Sequence, residues 1–164
     1  MSNRHIARLL GSLAITGLLV APSARGELAA WDQARVTALA KELATATDSL
    51  HDTFVKQPPP DVGSLQSHSY YRLKQFVRML RVEASLFAKS AEDGEGREQT
   101  VWIYETLMSR ARSARDEAGR VFVTNDVGER AAAVRGVLNQ LGPYYDPDFQ
   151  RLPPHPNIEP RAAR

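Results

Sequence analysis

Apolar residues recur three and four positions apart in four separate stretches of this chain, and this spacing restricts the fold more than any other feature. An α-helix of 3.6 residues per turn brings such positions onto one side, whereas a half-buried strand needs apolar residues at every second position. The stretches cover about 27–56, 67–91, 97–119 and 126–142, and they are rich in helix-favouring Ala, Leu, Glu, Arg and Gln. The sequence therefore predicts an all-α protein.

The segments between these stretches carry residues that end helices. Three consecutive prolines follow the first stretch, an acidic turn at 92–96 with two glycines follows the second, and Gly142-Pro143 follows the fourth. Connections this short favour an up-down-up-down antiparallel four-helix bundle over 27–142. A three-helix bundle with the last segment packed across it is the alternative. The proline-rich residues 143–164 are expected to form an extended or disordered tail.

The fourth stretch is the shortest, and its length predicts a gap at one end of the bundle. At ~1.5 Å per residue its roughly 16 residues span about 24 Å, against about 34–42 Å for each of the others. Either tyrosines fold back and fill the gap, or the gap is an apolar pocket or a docking patch. The residues expected to meet there are Trp31, Phe87, Trp102, Tyr104, Tyr144 and Tyr145, with Leu28, Leu86 and Phe149 beside them.

Residues 1–26 have the order of parts found in a secretory signal peptide. Arg4 and Arg8 precede an apolar run over 9–21, and small residues at 24 and 26 offer a cleavage site near Gly26. The run is 13 residues long, short of the ~20 that span a bilayer, so no stable membrane anchor is expected after cleavage. The sequence predicts a soluble periplasmic or secreted product.

Charge and cysteine content exclude several classes of function. The full chain has 21 Lys and Arg against 19 Asp and Glu, and the leader carries three of those arginines. The cleaved chain is therefore nearly neutral, and nucleic acid is not an expected partner. With no cysteine, the chain cannot use thiol catalysis, thiolate metal sites or covalently attached haem.

Two histidines mark the only candidate metal corner. His51, near the end of the first helix, and His68, near the start of the second, adjoin in an antiparallel hairpin, and Asp48 and Asp52 lie one turn or less from His51. His51 falls just off the buried stripe, where solvated histidines are common. We therefore predict no metal, and keep these four residues as candidates.

Signs of other cofactors and of catalysis are few. A b-type haem would need axial ligands from His51, His68, Met79 or Met108, and the fourth helix supplies neither residue type. No Glu-x-x-His pair suited to a di-iron site is present, and Gly94-Glu95-Gly96 lacks the lysine of a phosphate-binding loop. The sequence predicts no cofactor and no enzymatic activity.

Basic residues line the second and third helices. They are either paired with the more acidic first helix or available to an anionic partner such as lipid headgroups, a polyanionic polymer or an acidic protein. They are Arg72, Lys74, Arg78 and Arg81 in the second helix and Arg110, Arg112, Arg115 and Arg120 in the third.

The expected function is that of an exported interaction protein without catalytic activity. Its macromolecular partner, an envelope protein or a polyanion, is expected on the basic face of helices 2 and 3 or at the aromatic end. The alternative is a carrier of a small ligand, haem or metal, using the aromatic gap or the His51/His68 corner.

Overall fold

A computed structural model describes residues 27–64 and 66–154, and four α-helices make up most of these residues. No described residue lies in a β-strand, so the all-α prediction is confirmed. The predicted signal peptide and the tail beyond residue 154 lie outside the described residues. The helices are α1 (Gln33–Lys56), α2 (Ser67–Glu92), α3 (Arg97–Ala118) and α4 (Asn125–Tyr145).

Helix α1 begins six residues later than predicted, because the preceding backbone bonds to other parts of the chain. The side chain of Asp32 caps the helix by accepting a hydrogen bond from the amide of Arg35 at 2.9 Å. Before it, the amide of Ala29 donates to the carbonyl of Pro143 at 2.8 Å, and the carbonyl of Ala29 accepts from Arg97 at 2.6 Å. Residues 27–32 therefore run across the end of the bundle.

The prediction of a short α4 ending at Gly142-Pro143 is wrong. The helix has 21 residues, only one fewer than α3, and it continues through Pro143 to Tyr145. Proline in the last turn loses one helical hydrogen bond, and that loss is small beside the packing of Tyr145 against three other rings. The gap expected from missing helical turns is therefore absent.

Neighbouring helices run antiparallel, as the ion pairs between them show. Within each helix pair, residue numbers rise along one helix while those of their ion-pair partners fall along the other. This is the register of antiparallel helices. The pairs are Lys41–Glu92 (2.7 Å) and Asp48–Arg81 (2.6 Å) between α1 and α2, and Arg72–Glu117 (3.1 Å) and Glu83–Arg110 (3.4 Å) between α2 and α3.

Helix α4 packs closely on α1 but makes few contacts with α3. Arg35 of α1 donates to Gln140 of α4 at 2.7 Å, again in an antiparallel register. The bundle thus has three closed seams and one open seam, between α3 and α4. In the described part of the chain, none of the helices has the combination of length and apolar character needed to cross a membrane.

The predicted apolar stripes form most of the core, and α3 is turned from its expected orientation. Ile103 and Leu107 of α3 are almost wholly buried, although the predicted stripe did not include them, while the predicted Val101 and Ala111 are only half-buried. Both half-buried residues belong to the helix that borders the open seam. The stripe residues that are buried as predicted are Val36, Leu39, Leu43, Leu50, Phe54, Leu73, Leu80, Ala84, Phe87, Tyr104, Met108, Ala114, Ala118, Val134, Leu138 and Leu141.

Candidate functional site

Five of the six aromatic residues expected at one end of the bundle form one cluster there. We call Trp31, Phe87, Tyr104, Tyr144 and Tyr145 the aromatic cluster. The ring of Tyr145 is at its centre: it stacks on Tyr104 with centroids 4.5 Å apart and meets Trp31 at 5.6 Å and Phe87 at 6.0 Å edge-on. Tyr144 meets Trp31 edge-on at 6.3 Å. Offset and edge-on contacts of this kind stabilise a fold beyond simple burial.

The interior of the aromatic cluster is filled. Phe87 is 0%, Tyr104 4% and Tyr145 8% exposed, and the hydroxyl groups of Tyr145 and Thr100 are hydrogen-bonded at 2.9 Å. Burial raises the pKa of Tyr145 to about 12, and the Thr100 hydrogen bond and the charge of Arg97 oppose part of that rise. Burial, and then the negative charge of Asp146, also raise the pKa of Tyr104. The cluster fills the interior at this end of the bundle, and a more polar pocket lies beside it, lined by Tyr104, Glu105, Met108, Arg112, Tyr145, Asp146 and Phe149.

The outer edge of the aromatic cluster is held by hydrogen bonds and a cation–π contact. The indole of Trp31 donates to the side chain of Gln33 at 2.9 Å, and the guanidinium of Arg97 lies 5.4 Å from the Trp31 ring. Gln33 in turn donates to the carbonyl of Ala91 at the end of α2, also at 2.9 Å. Trp31 is therefore fixed in place and only half-buried.

Trp102 does not follow the expectation that both tryptophans meet at the aromatic end. It lies on the outer face of α3 and is 55% exposed. Two residues along a helix correspond to a turn of about 200°, so Trp102 and Tyr104 point to nearly opposite sides. Because Tyr104 faces the core, Trp102 must face outward.

Exposed apolar and basic residues on α2 continue the surface around Trp102. Tyr71 is 57%, Val82 62% and Leu86 42% exposed, and their spacing along α2 places them on one outer face. Leu86 and Trp102 each lie within two turns of the short connection between α2 and α3, at the same end of that hairpin. The sequence analysis did not single out Tyr71 and Val82. Their spacing from Arg78 would have predicted a second stripe of residues, on the outer side of α2. We call Tyr71, Arg78, Val82, Leu86, Lys89 and Trp102 the α2–α3 surface patch.

Half of the eight residues of the predicted basic face form ion pairs within the bundle. The carboxylate of Glu117, only 4% exposed, forms an ion pair with Arg72 at 3.1 Å and lies 3.8 Å from Arg120. Arg81 and Arg110 are in the helix-crossing pairs given above. Of the four arginines predicted to form the partner surface, Arg72 and Arg110 are therefore engaged, Arg78 is exposed in the patch, and Arg115 is half-buried and borders the open seam between α3 and α4.

The two histidines of the candidate metal corner lie in different settings. His51 is half-buried with its Nδ1 atom 3.3 Å from the carboxylate of Asp52, whereas His68 is exposed. Asp48 is engaged by Arg81 at 2.6 Å. Within residues 27–64 and 66–154, no three His, Asp or Glu side chains come together as a metal site would require.

No family model, curated protein or solved structure matches this chain.

Proposed function

We propose that this chain is an exported, non-catalytic interaction protein that binds an acidic protein of the cell envelope through the α2–α3 surface patch. Trp102 is the observation that carries the proposal. The same helix buries Ile103 and Tyr104 almost completely, yet it leaves the large indole of Trp102 more than half exposed. Tryptophan, tyrosine and arginine are the residue types that most often dominate the binding energy of protein interfaces.

The charge around the patch selects the kind of partner. Both acids of α2 are engaged, Glu83 by Arg110 and Glu92 by Lys41. Lys74, Arg78 and Lys89, by contrast, are exposed on the same helix. On α2, apolar surface beside exposed positive charge is complementary to an acidic partner, which it would attract over a distance of about one Debye length. The exposed acids Glu98 and Glu105 lie about one turn on either side of Trp102, so the positive charge of the patch is confined to α2.

The shape of the patch suits an elongated partner. From Tyr71 to Lys89 the helix axis rises about 27 Å, the length of a five-turn helix. An acidic amphipathic helix laid along α2 would place apolar residues on Val82 and Leu86 and carboxylates near the lysines and Arg78. Trp102 would lie at one end of that contact.

Cross-linking in the native cells tests the proposal. We expect one acidic protein to cross-link to the full-length wild-type chain, and its yield to fall about tenfold or more in Trp102→Ser, because loss of a large interface tryptophan removes much of the binding energy. The matched control is Val55→Ser, which changes an apolar residue of similar exposure (43%) on α1. The control should keep the wild-type yield.

Three results would contradict the proposal. The same proteins could be recovered with Trp102→Ser as with wild type, Val55→Ser could lose the partner equally, or the bound material could be a polyanionic polymer. Thermal unfolding of each variant separates loss of binding from loss of fold.

A further inference from the structure

The open seam between α3 and α4 is lined by small side chains. Ala111, Ala114 and Ala118 of α3 face Gly128 and Ala131 of α4 across an apolar groove. The groove encloses a cavity of about 90 Å³ and is partly open to solvent. Its floor is made of large core residues of α1 and α2, such as Phe54 and Leu80. A partly open apolar groove of this kind accommodates part of a slender apolar chain.

Residues 146–154, which we call the C-terminal strap, limit the groove toward the aromatic cluster. After α4 ends, the chain turns back along it, and the ring of Phe149 rests on Gly142, where no side chain intervenes. The side-chain amide of Asn139 then pairs with the backbone of Leu152 through two hydrogen bonds, of 2.8 and 3.2 Å. Leu152 itself contributes to the groove wall. Beyond Leu152, toward Gly128, the groove remains open.

The groove has two positive charges in its lining, one on each side. Arg115 of α3 and Arg135 of α4 are the only charged residues among those that line it. The Nε atom of Arg115 is buried and has no hydrogen-bond partner within the described residues. Arg115 as a whole is only half-buried, so an anion at this rim would accept a charge-assisted hydrogen bond from a terminal nitrogen of its guanidinium.

We propose that this groove binds one molecule of a long-chain carboxylate, the chemical class of fatty acids. Its hydrocarbon chain would lie between α3 and α4 over the small residues, and its carboxylate would accept from Arg115. An apolar groove alone would suit any hydrocarbon, but the positive charge of Arg115 selects an anionic headgroup. The site is separate from the α2–α3 surface patch, so either proposal can fail while the other holds.

Titration of the full-length chain with oleate, with oleyl alcohol as the uncharged probe, tests the proposal. We expect oleate to bind in a one-to-one ratio in native mass spectra and calorimetry. Ala131→Phe, which fills the groove, should abolish binding. Ala133→Phe places the same side chain on the exposed side of α4 and should leave binding unchanged.

A second pair of variants tests the headgroup. Arg115→Gln should weaken oleate binding by about tenfold or more, because a hydrogen bond to a charged group is lost, and should leave oleyl alcohol binding unchanged. Arg130→Gln removes an exposed positive charge from α4 and should alter neither ligand. Unfolding midpoints of all four variants exclude a general loss of fold.

Several outcomes would overturn the proposal. Oleate could fail to bind, or bind equally to Ala131→Phe, or Arg115→Gln could weaken oleate and oleyl alcohol alike. Binding seen only after removal of residues 155–164 would make the chain's own tail the occupant. A dimer in native mass spectra that Ala131→Phe dissociates would make the occupant a second copy of the chain.

Discussion

Helices α3 and α4 are joined at one end of the bundle and separate over the rest, and the residues between them account for the difference. At the joined end, the rings of Tyr104 and Tyr145 stack at 4.5 Å, and Thr100 bonds to the Tyr145 hydroxyl. Farther along, alanines and a glycine face each other across the groove. Large rings meet across the joined end, whereas side chains of at most one carbon do not bridge the space along the groove. Side-chain volume decides where this seam closes.

The largest expected effect comes from breaking the joined end. Tyr145→Ala removes contacts with three rings and the Thr100 hydrogen bond, and should lower the free energy of unfolding by about 3–5 kcal/mol. Tyr145→Phe keeps the ring and should cost only about 0.5–1.5 kcal/mol. Urea unfolding followed by circular dichroism measures both. Equal losses for the two variants would show that the ring contacts do not hold α3 and α4 together.

A smaller effect on the free energy of unfolding should distinguish the open seam from a closed one. Ala40→Leu inserts three carbons at a position of α1 that is 0% exposed and should destabilise the fold by about 1–3 kcal/mol. Ala131→Leu makes the same change in the groove and should stay within about 0.5 kcal/mol of wild type. The same unfolding assay compares them. A large loss from Ala131→Leu would mean that α3 and α4 have no free space between them.

The smallest effect is a dependence on alkaline pH that belongs to the joined end. The pKa of Tyr145 is raised from 10.0 to about 12, so the stability gained from its neutral form is fully present below pH 10 and is lost as the pH rises through 12. Between these values the urea midpoint of wild type should fall more than that of Tyr145→Phe. Ultraviolet titration of wild type should show a tyrosine that ionises near pH 12 and is missing from Tyr145→Phe. If the urea midpoints of wild type and Tyr145→Phe fell equally with rising pH, ionisation of Tyr145 would not be the cause of the loss of stability.

Local signals in the sequence were sufficient to predict the existence of the four helices and most of their ends. The predicted limits of α2 and α3 agree with Ser67–Glu92 and Arg97–Ala118 to within one residue at each end. Apolar spacing and the helix-breaking residues beside it are properties of neighbouring residues, so they can be read without knowing the fold.

Features that depend on distant contacts could not be predicted in the same way. The end of α4 depends on the packing of Tyr145. The late start of α1 depends on two hydrogen bonds, one from the Ala29 amide to the Pro143 carbonyl and one from the Arg97 guanidinium to the Ala29 carbonyl. The open seam depends on how all four helices fit together. The outward position of Trp102 was within reach, because its angle to Tyr104 follows from helix geometry alone.

The C-terminal strap has a consequence for motion. It is attached to α4 through Phe149 on Gly142 and the two bonds between Asn139 and Leu152, and none of the helix-crossing ion pairs depends on it. Its detachment therefore costs far less than unfolding the bundle and can proceed while the four helices stay intact. The rate of hydrogen–deuterium exchange at the Leu152 amide would measure how often the strap detaches, separately from unfolding of the whole bundle.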